Sequence, residues 1–96
     1  MTLEIVQWTA KEGQEVDFEE AFSKAQGYLS QAEGYISHRF FKCIENSRKY
    51  VLLVEWSHIE AHTEQFQGSE LYQEYRSLIK PYYEEGATLN HYEQIE

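Results

Sequence analysis

The run Tyr50-Val51-Leu52-Leu53-Val54-Glu55-Trp56 is nearly continuous in apolar residues. It is too short for a buried helix and rich in β-branched and aromatic types, so it reads as a strand. Alternation sends its side chains to both faces of the sheet, and both faces are then apolar. Each face needs a cover. The chain has 96 residues, enough for a single domain over 1–96 and little more.

Two segments at helical spacing can cover one face. Asp17 and Glu20 match a capped helix start, and Phe18, Phe22, Ala25 and Leu29 follow on one stripe to about Gln31. Ser57 and Glu60 repeat the capping pattern. They predict a helix through Phe66, a break near Gly68 and a restart capped by Ser69. The restarted stripe is Leu71, Tyr75, Leu78 and Tyr82, beside Tyr72, Arg76, Ile79 and Tyr83, with Pro81 near its end.

Three further segments read as strands. Leu3 to Trp8 puts Leu3, Ile5 and Gln7 on one face, and Val6 and Trp8 on the other. In Tyr35 to Ile44, alternation groups Ile36, His38, Phe40 and Ile44 against Tyr35, Ser37, Arg39, Phe41 and Cys43. The polar turn Glu45–Arg48 makes this strand and the Tyr50 run a hairpin. Ala87 to Ile95 is the last strand. The order is that of a ferredoxin-like, split β-α-β-β-α-β α+β protomer with an antiparallel sheet. Both helices fall on one face, so a second copy of the chain is the simplest cover for the other.

Charge narrows the partners. Eight Lys and Arg against 17 Asp and Glu give a formal net charge of −9, without a basic cluster. Nucleic acid and anionic lipid are poor partners for such a chain. No apolar run approaches the roughly 20 residues of a membrane span, and residues 1–20 lack the apolar core of a secretory signal. The single Cys43 has no disulfide partner, which points to a reducing, cytoplasmic setting. Cys43 itself is expected as a small buried strand residue. Glu55, inside an apolar strand, needs a partner, and Arg39 on the neighbouring strand is the candidate.

Glu33-Gly34-Tyr35-Ile36-Ser37, the Tyr50–Trp56 strand, Glu60-Ala61-His62 with Phe66 and Ser69, Tyr72-Gln73-Glu74-Tyr75-Arg76 and His91-Tyr92 together resemble the antibiotic biosynthesis monooxygenase domain family. The resemblance covers nearly the whole chain. It implies a protomer that pairs into a dimeric α+β barrel, and an activity on electron-rich aromatics such as a quinol, anthrone or polyphenol without a cofactor. A rival reading is a non-catalytic, small-ligand-binding or stress-related dimeric module. The haem-degrading branch calls for an Asn on strand one, a Trp near position 66 and a His about ten residues on. This chain has Gln7, Phe66 and Arg76 there, and no Cys-x-x-Cys-His signature, which disfavours haem degradation.

Within that frame His62 is the expected general base, because a neutral imidazole in an apolar setting can take a proton from a phenol. Trp56 and Arg76 complete the expected catalytic group, the cation stabilising a phenolate or enolate. Tyr72, Phe66 and His91 are the expected substrate-binding residues. His91 reaches the site only if its strand face meets the helices. The resemblance to the family's polyketide oxygenase also implies an Asn, Trp, Tyr and Arg group, but Asn46 and Asn90 are this chain's only asparagines, one in a turn and one in the last strand, so the Asn role has no clear holder. His58 and His62 have metal-ligand spacing, yet a third ligand and the Glu-x-x order are missing, so no metal is expected. Each residue also has a purely structural reading: His62 as a packed histidine, Trp56 and Tyr72 as core, Arg76 as half of a surface ion pair.

Overall fold

A computed structural model describes residues 1–96. The chain runs β1 (Thr2–Thr9), α1 (Glu15–Ser30), β2 (Tyr35–Lys42), β3 (Lys49–Trp56), a π-helical turn (Ala61–Phe66), α2 (Glu70–Ile79), a 3₁₀ turn (Lys80–Tyr82) and β4 (Thr88–Tyr92). The strands form one antiparallel sheet in the order β2-β3-β1-β4. This is the ferredoxin-like α+β protomer that the pattern of periodicities predicts.

Register decides which side chains meet the helices. Glu4 lies opposite Val54 on one side and His91 on the other, and Val6 lies opposite Leu52 and Leu89. Directly paired residues share a face. Glu4, Val6, Trp8, Tyr50, Leu52, Val54 and Trp56 are all buried, and the buried Phe18, Phe22, Ala25 and Leu29 of α1 lie in the same core. The centre is aromatic: Phe22 stacks on Phe40 at 4.1 Å, and Phe18 meets Tyr50 edge-on at 5.0 Å. The other face has no element over it. It carries Leu3, Ile5, Val51 and Leu53, partly buried by one another, with Ile36, Phe41 and Tyr92 46–49% exposed.

Several local expectations need correction. Asp17 does not cap α1; the helix begins at Glu15 with Gln14 before it, and Asp17 sits in the first turn. Ser57 and Glu60 form no capping box. The His58 ring accepts the Ala61 N–H instead, at 3.1 Å, and the segment that follows winds as a π-helix. Ser69 does cap α2, accepting the Tyr72 N–H. In β2 the alternation breaks at a register shift between Tyr35 and Ser37, so Tyr35 turns inward against Trp56 while Ile36 turns out. Ile44 lies past the strand, 95% exposed, and β4 is shorter than Ala87–Ile95. Cys43 is only partly buried, beyond β2, with its thiol toward Glu45. Glu55 accepts from Ser37 rather than pairing with Arg39, whose guanidinium lies over the Phe41 ring.

Candidate active site

The site begins where β3 ends. Trp56 is fully buried, and the π-turn lays the His62 ring over it, with centroids 5.2 Å apart and planes 26° from parallel. A π-turn holds one more residue per hydrogen-bonded ring than an α-turn and is frequent at functional sites. Here Gln67 N–H reaches back to the His62 carbonyl, and the turn buries His62 and Phe66 together. Gly34 allows the close approach. Its φ is +84°, and a Cβ there would stand 2.5 Å from that of Ala61.

From the sheet, β1 and β4 each add one polar group to this apolar layer. Trp56 Nε1 donates to Glu4 Oε1 at 2.9 Å, and the other Glu4 oxygen lies 3.4 Å from His62 Nε2. The remaining nitrogen, His62 Nδ1, meets His91 Nε2 at 2.8 Å. Glu4 and His62 are almost inaccessible, while His91 is partly exposed. Burial pushes the Glu4 carboxyl up to about 7, with the Trp56 N–H pulling against it. Burial also holds His62 down at about 4, assisted by His91. Near neutral pH the imidazole is therefore uncharged beside a carboxyl poised to gain or lose a proton.

Glu4 and His62 stand at the foot of a cavity of about 180 Å³. Its walls include Phe66, Tyr72, Tyr75 and Tyr83, and Arg76 lies at its exposed mouth. Arg76 enters none of the chain's four ion pairs, so the surface-pair reading finds no partner for it. Of the residues named from the sequence, His62, Arg76, Tyr72 and Phe66 border this one cavity. Trp56 lies a layer behind, under His62, and His91 lies behind it on the β4 side. His58 is turned outward toward the Ala61 amide and the Glu60 carboxylate, 3.4 Å away. No group of three His, Cys, Asp or Glu side chains is arranged to hold a metal ion. Sequence reasoning missed Glu4. The signal was present: alternation through Val6 and Trp8 assigns Glu4 to the same inward face.

A family model for antibiotic biosynthesis monooxygenases matches residues 1–78. The chain belongs to the antibiotic biosynthesis monooxygenase family. An uncharacterized protein of Bacillus subtilis, YczJ, is 45% identical over 85 residues, covering 88% of this chain and 90% of the relative. Among solved structures, a candidate antibiotic biosynthesis monooxygenase from Bordetella bronchiseptica superposes with a TM-score of 0.94 at 26% identity, covering 99% of this chain and 97% of that one. SnoaB, a cofactor-independent oxygenase from Streptomyces nogalater, superposes at 0.85 with 12% identity, covering 99% and 93%, a likeness of fold alone. The family's fold thus extends over β4, beyond the matched residues, and brings His91 to the site.

Proposed function

We propose that this family member is a cofactor-independent monooxygenase of an electron-rich aromatic, and that it works as a homodimer. The observation that carries the reading is the buried Glu4–His62 pair at the foot of an aromatic cavity with an unpaired guanidinium at its mouth. The substrate itself supplies the electrons. Proton transfer to the Glu4–His62 pair leaves a phenolate or carbanion, and Arg76 stabilises its charge. The anion reduces dioxygen and forms a peroxide at carbon. Protonation of the peroxide and loss of water leave one oxygen as a carbonyl, with the other in the water. The cavity size narrows the class. An apolar cavity of ~150 Å³ accepts benzene, so about 180 Å³ suits a one-ring quinol better than a polycyclic anthrone.

Oxygen uptake by the purified protein, with quinols, polyphenols and anthrones and without added flavin, metal or haem, tests the proposal. Turnover should be greatest with single-ring quinols. His62→Gln, which keeps most of the side-chain volume, should lower turnover about 10²–10⁴-fold, the usual worth of general-base catalysis. His58→Ala should leave it nearly unchanged. The binding-module reading has its own support, because every buried polar side-chain atom already has a partner. A quinol that binds saturably without oxygen uptake would select it.

A further inference from the structure

We infer that Glu4, His62 and His91 form a proton wire, in which Glu4 takes the substrate proton and His91 exchanges it with solvent at β4. The inference rests on the oxygenase reading for the identity of the donor and on geometry alone for the wire. Both His62 ring nitrogens already face protein groups: Nε2 the Glu4 carboxyl at 3.4 Å, and Nδ1 the His91 ring at 2.8 Å. A substrate in the cavity therefore meets the Glu4 carboxyl beside an imidazole whose Nδ1 is already engaged by His91. The Glu4 carboxyl does border the cavity, and its other oxygen is anchored by Trp56. His91 is outside the cavity lining and partly exposed, so the chain of contacts leads from the cavity to the edge strand of the sheet.

The transfers balance. The substrate O–H or C–H gives its proton to Glu4 Oε2. Glu4 passes it to His62 Nε2 while the proton on His62 Nδ1 moves to His91 Nε2, and His91 releases its Nδ1 proton to water. Both rings are left in the opposite tautomer. Running the same hops backward delivers a proton from water, through Glu4, to the peroxide anion, and restores the starting tautomers. One wire thus serves both halves of the cycle, and no ring has to turn in the packed core. The groups around it are few. Glu4 faces Trp56 from β3, His62 from the π-turn and His91 from β4, and its charge helps to raise the Tyr75 hydroxyl of α2. Arg76, Tyr72 and Tyr83 share the cavity.

The decisive measurement does not need turnover. Two-bond ¹H–¹⁵N spectra of the four histidines, recorded from pH 5 to 9 on the full chain, on Glu4→Gln and on His91→Gln, report each ring's tautomer. In the wild type, His62 should change tautomer in one step as the Glu4 carboxyl ionises at about 7. Glu4→Gln should abolish that step, and His91→Gln should fix His62 in one tautomer. His62 signals that superimpose in all three proteins would overturn the wire, whatever the enzyme does. With a quinol that the wild type oxidises, His91→Gln should lower kcat about tenfold or more at unchanged KM, and imidazole buffer should restore it. Full kcat in His91→Gln would also overturn the wire. Absence of oxygen uptake by the wild type would count against the oxygenase reading alone, leaving the spectra to decide the wire.

Discussion

Glu4 and His62 are each buried against their preference, and the two penalties have opposite pH dependence. Folded, Glu4 keeps its proton up to about 7 instead of its ordinary 4.5. Between those values the folded state holds the extra proton, so the Glu4 contribution to stability falls as pH rises. His62 gives up its proton at about 4 instead of 6.5, so over that window the unfolded state holds the extra proton and stability rises with pH. From about 4.5 to 6.5 the two slopes offset. Glu4→Gln removes the falling one. Its stability, relative to wild type, should rise through that interval with a slope of up to ~1.4 kcal/mol per pH unit. Urea unfolding at pH 4.5, 5.5 and 6.5 measures it, and parallel profiles for the two proteins would refute the assignment.

At the scale of elements, the junction between β2 and the π-turn is the tightest place near the site. Gly34→Ala would force a non-glycine residue to φ +84° and drive its methyl into Ala61 and Ser57. The expected loss is about 2–4 kcal/mol by thermal or urea unfolding, with His62 displaced and turnover reduced. A Gly34→Ala variant as stable as wild type would contradict the packing described. Much of this architecture was legible. Alternation in Leu3–Trp8, the Phe18–Leu29 stripe and the Ser69 cap each report a local preference that tertiary structure preserves. The losses have specific physical causes. One bulge after Tyr35 exchanged the faces of Tyr35 and Ile36 while leaving His38 and Phe40 inward, and a helix wound with i→i+5 bonds has no sequence signature separate from an α-helix. The His62–His91 contact depends on β1 and β4 pairing Glu4 with His91, a register set by the whole sheet. Glu4 was readable as inward-facing, but its partners come from three other elements that no local pattern joins.

At the scale of the molecule, the uncovered sheet face and the net charge of −9 act against each other. Burying Leu3, Ile5, Val51 and Leu53 against a second copy favours association, while like charge on the two copies opposes it. Sedimentation at micromolar concentration should give about twice 11.4 kDa, and association should tighten as salt is raised toward 0.15 M. Leu53→Lys should leave a folded monomer. A wild-type protein that stays monomeric at all salt concentrations would rule out the homodimer. The molecule's two tryptophans also divide it optically. Trp8 lies in the aromatic centre, against Phe18, Phe40 and Tyr83, whereas Trp56 has its N–H on Glu4 and its ring under His62. An excited indole is sensitive to the charge of its hydrogen-bond acceptor. In a Trp8→Phe protein excited at the red edge, where tyrosine does not absorb, the emission would come from Trp56 alone, so its colour and lifetime would follow the protonation of the buried carboxyl in real time, with no label attached.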